Sequence, residues 1–232
     1  MQIFSVLPWI DWLAVAGLFG AWYGYARFSG GQRTGRASVL GTTNHYRQLW
    51  MLQTTLRDPR MLDGLIAQSL ASMPSFFSST TIIIIGGLFA LLGATQEATE
   101  VVREIPFAAR TSVLVFDLKV MVLLGIFAFA FFRFTWAMRQ NSFVALLIGS
   151  MPPVDEFRTG AADRQAYAER AGTLLGLAAE SFNDGLRAYY FAFAAMAWFI
   201  SPFAMLAATA LVILVLYNRE FRSAALDVLN AE

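Results

Sequence analysis

The stretch "FDLKVMVLLGIFAFAFFRF", residues 116–134, decides the fold because it is long and almost wholly apolar. As a helix it is about 28 Å long, close to the roughly 30 Å thickness of a bilayer's hydrocarbon core. Three charged residues nevertheless lie in it: Asp117, Lys119 and Arg133. The stretch predicts a membrane-spanning helix. Its charges need an explanation, because a charged side chain in hydrocarbon is costly.

The composition of the chain is that of an integral membrane protein. Of its 232 residues, 57% are hydrophobic and 14% are charged, whereas soluble domains carry about 25% charged residues. The net charge of +1, without a basic tract, argues against nucleic-acid binding. The absence of cysteine and the single histidine, His45, argue against disulfides and multi-histidine metal sites. A magnesium or calcium site made of carboxylates alone stays open, but no pattern in the sequence marks one, so we expect no metal and no cofactor.

Four apolar runs predict an all-α, polytopic fold with four transmembrane helices in a single membrane domain covering residues 1–232. The expected spans are about residues 3–25, 76–94, 111–133 and 188–217. The last span would be about 45 Å long, so Pro202 within it is expected to kink the helix. Residues 14–17, "AVAG", resemble a cleavage site, which leaves processing of the N-terminus open against a retained first helix.

The arginine positions predict the orientation of the spans. Twelve arginines lie in or beside the two long connections, and four lie on the other side of the predicted membrane. Because cytoplasmic loops carry the excess of positive charge, we expect both long connections to be cytoplasmic and both termini to be outside. The cytoplasmic parts are expected to form amphipathic or extended helices at about residues 44–72 and 134–186.

The charges in the transmembrane helices are candidate functional residues. Asp117 and Lys119 are two positions apart, about 200° around a helix, so each needs its own partner. Asp11 lies at a similar depth in the first span, which makes an ion pair between Asp11 and Lys119 available. Arg133 lies about 21 Å along the helix from Lys119, near the inner interface. We favour pairing, or cationic side chains that reach out to water, over a role in translocation.

Several polar motifs have both a functional and a structural interpretation. The hydroxyl run in the second span can line an ion path, although such side chains usually bond back to their own helix. Two arginines at the cytoplasmic edge, Arg57 and Arg60, can bind an anionic head group or form local ion pairs. The hydroxyl run consists of Ser78, Ser79, Thr80 and Thr81.

Two pairs of glycines four residues apart predict close helix packing. They are Gly20 with Gly24 in the first span, and Gly172 with Gly176 in the second cytoplasmic segment. We favour packing within one chain over a subunit interface.

Three stretches resemble one family: "FFSSTTIIIIGGLFALLGA", "FDLKVMVLLGIFAFAFFRFTWAMRQNSF" and the segment from "ESFNDGLRAYY" to "NREFRS". They are similar to an uncharacterised membrane-protein family of bacteria and plants, domain of unknown function number five hundred and ninety-nine. The resemblance covers about residues 44–223. It implies a four-span membrane fold and carries no reaction.

These observations predict a multi-pass protein of the bacterial inner membrane, surrounded by lipid, that works as a homo-oligomer or as a subunit of a membrane complex. The most concrete function is a channel or transporter for an ion or small solute. The alternative is a non-catalytic accessory or scaffold subunit, or a lipid-binding protein. An enzyme is disfavoured, since the chain lacks the common catalytic motifs.

Overall fold

The computed structural model describes residues 7–29, 37–97 and 112–230, and within these ranges the chain is helical with no β-strand. The all-α prediction is confirmed for this part. The first residues of the predicted spans 3–25 and 111–133 lie outside it. The helices are α1 Trp9–Ser29, α2 Val39–Thr54, α3 Met61–Gly93, α4 Val113–Gly149, α5 Val154–Thr159, α6 Arg164–Met196, α7 Pro202–Phe221 and α8 Ala224–Asn230.

Local sequence signals set several helix ends. Ser38 precedes α2, and its hydroxyl accepts a hydrogen bond from the amide of Gly41 at 3.0 Å. Asp163 precedes α6, and its carboxylate accepts from the amides of Gln165 and Ala166 at 2.9 and 3.0 Å. Both side chains satisfy amides that have no partner in the first turn of a helix. Gly160 ends α5 with a positive φ of 77°, a conformation that glycine adopts without strain.

Among the described residues, three helical segments are long and apolar enough to cross a membrane: Met61–Gly93, Val113–Gly149 and Pro202–Asn230. The first two correspond to α3 and α4, with 33 and 37 residues. Helices of that length are about 50 and 55 Å long, well beyond the hydrocarbon core. The chain is therefore a helical protein with membrane-compatible helices, each longer than one crossing requires.

The chain forms two compact units. Unit 1 comprises residues 1–31, 80–131 and 185–218, and unit 2 comprises residues 32–79, 132–184 and 219–232. Helices α3, α4, α6 and α7 contribute residues to both units, whereas the whole of α1 belongs to unit 1.

In unit 1, α1 and α6 run in opposite directions. The ring of Trp22 stacks on Phe191 with 5.5 Å between centroids. One turn later in α1, the ring of Tyr25 lies 5.8 Å from the guanidinium carbon of Arg187. Later residues of α1 therefore contact earlier residues of α6, as expected of an antiparallel pair.

In the same unit, α1 and α7 run in the same direction. A Cβ at Gly17 would lie 2.9 Å from a side-chain carbon of Leu206. Eleven residues later in both helices, Phe28 stacks on Tyr217 with 6.4 Å between centroids. Because α7 is parallel to α1 and α6 is antiparallel to it, α6 and α7 form a helical hairpin.

This hairpin differs from the expected single span over residues 188–217. That segment is divided between the end of α6 at Met196, a 3₁₀ turn at Ala197–Phe199, and the start of α7 at Pro202. Pro202 is the first residue of a new helix instead of a kink within one. This position suits proline, since its fixed φ fits a helix start and its missing amide hydrogen has no helical acceptor there.

In unit 2, the core joins α2, α3, α4 and α6, and both the end of α7 and the C-terminal helix α8 contact α2. The carboxylate of Glu220 accepts a hydrogen bond from the amide of Leu40 at 3.0 Å, and the hydroxyl of Tyr46 donates to the carbonyl of Leu229 at 3.0 Å. The buried core consists of Met51, Ala67, Val144, Ile148, Ala168, Ala171 and Leu175.

Candidate functional site

The break between α6 and α7 leaves one main-chain carbonyl without its helical donor. In an α-helix, the carbonyl of residue 198 would accept from the amide of residue 202. Residue 202 is proline, which has no amide hydrogen. The ammonium of Lys119 on α4 donates to the Trp198 carbonyl at 2.8 Å instead. A cation at this position also faces the negative end of the α6 dipole, where positive charge is stabilised.

The same tryptophan also contacts the buried carboxylate of α1. The indole nitrogen of Trp198 donates to an Asp11 oxygen at 2.6 Å. Asp11, Lys119 and Trp198 thus form one cluster, which we call the Trp198 cluster. The expected direct ion pair between Asp11 and Lys119, both within the described part of the chain, is absent. Instead, Trp198 lies between the two side chains. Its carbonyl accepts from Lys119, and its indole donates to Asp11.

Burial and aromatic rings define the surroundings of the lysine. Lys119 is 2% exposed, so its side chain does not extend to water at the surface of the protein. Its ammonium lies 5.3 Å from the ring centroid of Trp198 and 5.6 Å from that of Phe199. Cation–π attraction and the nearby carboxylate offset part of the cost of burying the charge.

Asp117 and Arg133, the other two charges of residues 116–134, have partners of their own. The hydroxyl of Thr95, after the end of α3, donates to Asp117 at 2.8 Å. In unit 2, Arg133 forms a salt bridge with Asp184 of α6. Arg133 is therefore held by an acidic partner on the neighbouring helix.

The hydroxyl run at residues 78–81 divides by position around α3. Thr81 is fully buried, and its hydroxyl lies 2.8 Å from that of Tyr189. Ser78 is buried, Thr80 is half-buried and Ser79 is exposed. The four side chains therefore do not share one surface, because successive residues of a helix point in different directions.

The two head-group candidates have contacts within unit 2. Arg57 pairs with the buried carboxylate of Asp63 at 2.7 Å. The guanidinium of Arg60 donates to three main-chain carbonyls, at distances of 2.7 to 3.2 Å. These carbonyls belong to Thr54, Met151 and Pro152. Arg60 therefore joins the end of α2 to the segment that follows α4.

The two glycine pairs differ in their surroundings. A Cβ at Gly172 would lie 2.9 Å from the main chain of Gln48, and one at Gly176 would lie 3.2 Å from Asn44. This pair allows α2 and α6 to approach closely. Gly20 and Gly24 have open space where a Cβ would lie.

Sequence reasoning did not identify Trp198, Thr95 or Asp184 as partners of the charged residues. One signal was available for Trp198. A proline at position 202 has no amide hydrogen, so the carbonyl four residues earlier needs a donor from elsewhere. The other two partners are polar residues without a recognisable motif. Among the described residues, no group of three or more histidine, aspartate and glutamate side chains is arranged to hold a metal.

Comparisons with known proteins give one result. The model of the family described as "Protein of unknown function, DUF599" matches residues 13–225, nearly the whole chain. The resemblance deduced from the sequence is thereby confirmed. No curated protein and no solved structure matches the chain.

Proposed function

Because the chain belongs to the DUF599 family of proteins of unknown function, its role must be inferred from its own geometry, and we propose that it transports a small ion or solute across the bacterial inner membrane as a homo-oligomer. The Trp198 cluster is the observation that carries this proposal. Charges within membrane helices are expensive and usually functional. Transport proteins also place their binding groups at broken helices, where main-chain groups are available.

The proposal includes a topology with five crossings. Helices α3, α4 and α7 belong to the three apolar segments named above, and α1 and α6 are added to them as less apolar crossings. The parallel course of α1 and α7 supports this topology. If both helices cross the membrane, the chain ends on the side opposite to Trp9. This topology replaces the expectation of four spans with both termini outside.

The distribution of arginine also supports five crossings. In the four-span scheme, Arg219 and Arg222 are outside and the count is twelve to four. With α7 as a fifth crossing, both move inside. Arg187 lies within α6, about 14 Å before its end at Met196, so it counts for neither side and the count becomes thirteen to two. The remaining two are Arg103 and Arg110. Since positive charge on the cytoplasmic side determines orientation, the five-crossing topology satisfies this rule better.

A non-catalytic accessory or scaffold subunit is the second candidate, and one observation favours it. Lys119 donates to the carbonyl that Pro202 leaves without a donor. That contact gives the lysine a purely structural role, which is to hold the hairpin of α6 and α7.

Flux through reconstituted proteoliposomes tests the proposal. The probes are protons, detected with a pH-sensitive dye, and gradients of Na⁺, K⁺ and Cl⁻. The informative variant is Asp11→Asn, because asparagine can still accept the indole hydrogen bond of Trp198 but carries no charge. We expect wild-type flux of at least one of these ions, with a loss of ten-fold or more in the variant per molecule of folded protein. Because Asp11→Asn also leaves the charge of Lys119 uncompensated, its melting temperature should fall, and only the folded fraction is reconstituted.

Two outcomes contradict a transport role for the cluster. One is the same flux in the wild type and in Asp11→Asn. The other is no flux of any of the four ions, together with co-purification of a fixed membrane partner after mild extraction, which is the result expected of an accessory subunit.

A further inference from the structure

Helix α3 carries an exposed apolar face in unit 2, before the part that we assign to the hydrocarbon core. The face consists of Leu62, Ile66, Ser69, Met73 and Phe76, all exposed, with Leu62 at 70% and Ile66 at 45%. We call these five residues the α3 seam. Successive members are four, three, four and three residues apart, which is the spacing of one side of a coiled coil.

The length of α3 indicates that lipid alone does not cover the α3 seam. The helix is free of charge from Gly64 to its end at Gly93, a length of about 45 Å. As a straight helix, fitting this length into about 30 Å of hydrocarbon would require a tilt of about 48°, beyond the range of up to about 40° that transmembrane helices show. Pro74 lies within this part of α3, and a bend at this proline would let the residues before it leave the hydrocarbon core.

The part of α3 in the hydrocarbon core is best assigned to its most apolar section. Residues 76–94 contain four consecutive isoleucines, Ile82 to Ile85, and are long enough to cross alone. The part from Leu62 to Met73 then lies outside the hydrocarbon. There, exposed apolar side chains gain free energy when a protein surface covers them.

A second copy of this chain fits the α3 seam better than an unrelated partner does. Copies inserted in the same orientation carry the seam at the same depth. A two-fold axis normal to the membrane therefore places each residue against its own counterpart. Asp63 is the only ionisable residue between Leu62 and Phe76. Its carboxylate is buried and paired with Arg57 of the same chain. Like charges therefore do not meet across the axis.

We infer that the protein dimerises through the α3 seam, with α3 of one copy packed in parallel against α3 of the other. Leu62, Ile66, Met73 and Phe76 supply the apolar contacts, and Ser69 allows close approach at the centre of the interface. This interface does not depend on the transport proposal, since it uses no residue of the Trp198 cluster.

Disulfide cross-linking in native membranes tests the inference directly, because the chain contains no cysteine. The test variant is Ser69→Cys, which changes one atom at the centre of the seam. The matched control is Gln68→Cys, an exposed neighbour at the same depth but about 100° around the helix. Oxidation should give a product of twice the chain mass at least ten-fold faster in Ser69→Cys, since a disulfide requires Cα atoms within about 7 Å.

A second pair of variants probes the energetics of the interface. Leu62→Glu places two like charges across the axis and should shift the mass in mild detergent from dimer to monomer. Met61→Glu, at an equally exposed neighbouring position, should leave the dimer intact.

Three results overturn the inference. They are equal cross-linking of Ser69→Cys and Gln68→Cys, no cross-linking of either, or a product whose mass is not twice that of the chain. Ser69 and Gln68 are both exposed. The two cysteine variants should therefore match the wild type in extraction yield and melting temperature, which shows that the fold is retained.

Discussion

Lys119 supplies the hydrogen-bond donor that Pro202 lacks. The proline starts α7 and has no amide hydrogen for the Trp198 carbonyl, and the ammonium of the lysine donates to that carbonyl at 2.8 Å. Two residues that are unusual by themselves, a proline in an apolar run and a buried lysine, thus have one joint explanation. The lysine holds the turn between α6 and α7, and Asp11 provides the compensating charge through the indole of Trp198.

The first prediction concerns the coupling of the two charges in the Trp198 cluster. Lys119→Met removes the donor to a buried carbonyl and leaves Asp11 as an uncompensated buried charge. We expect the free energy of unfolding in detergent to fall by about 3 kcal/mol. Adding Asp11→Asn should recover at least about 1 kcal/mol, because the uncompensated charge is then gone. Strictly additive losses in this double-mutant cycle would contradict the coupling.

The second prediction isolates the indole hydrogen bond. Trp198→Phe removes the donor to Asp11 but retains the ring and the main-chain carbonyl that Lys119 contacts. The loss should be about 1.5–3 kcal/mol, as for hydrogen bonds to charged groups. The control is Trp9→Phe, at a position 72% exposed, which should change the melting temperature very little. Equal effects of the two substitutions would show that the bond to Asp11 adds no stability.

The third prediction concerns the salt bridge between Arg133 and Asp184. Both side chains are roughly three-quarters buried, so Asp184→Asn should cost about 1–2 kcal/mol, less than the loss of a fully buried partner. The exposed pair of Arg158 and Asp155 is a suitable control, and Asp155→Asn should have almost no effect. Chemical unfolding of the wild type and the two variants measures both differences, and a similar cost at both sites would contradict the assigned role of Arg133.

The fourth prediction separates the two glycine pairs. Gly172→Ala would place a methyl group 2.9 Å from the main chain of Gln48, which should cost about 1–3 kcal/mol through overpacking. Gly20→Ala has open space and should leave stability unchanged or raise it slightly, because alanine restricts the unfolded chain. Thermal unfolding of both variants provides the comparison. If Gly20→Ala proves the more damaging of the two, the first pair packs against another molecule.

The fifth prediction concerns topology. Five crossings place α8 in the cytoplasm, whereas four spans place it outside. A reporter that fluoresces only in the cytoplasm, fused after Asn230, should therefore be active. A reporter enzyme that requires export should be inactive at the same position. The opposite pattern would restore an even number of crossings.

The sequence predicts the all-α fold, and it identifies which charged residues in the apolar helices need a partner. Apolar length and charge positions are local properties, and so is the cap at Asp163, because each depends on residues close together in the chain. The break between α2 and α3 is also local. Helix α2 ends at Thr54 and α3 begins at Met61, and between them Asp58 precedes Pro59, a position that disfavours the helical conformation.

The hairpin of α6 and α7 could not be predicted from hydropathy. Residues 188–217 contain no charge, and the turn itself reads "AWFIS". A turn normally appears in a sequence as a polar interruption. Here the polar partner of the turn is Lys119, which lies 79 positions away from Trp198. The partnership between Arg133 and Asp184, 51 positions apart, was not apparent for the same reason. Neither residue is in a motif that indicates the other.

The burial of Lys119 also makes this residue of α4 a chemical reporter of the turn between α6 and α7. It is the only lysine of the chain, and folding withdraws its amine from reagents dissolved in water. Acylation of this side chain therefore requires the turn between α6 and α7 to open first. The rate at which a lysine-selective reagent modifies Lys119 measures how often that opening occurs, without any label being introduced.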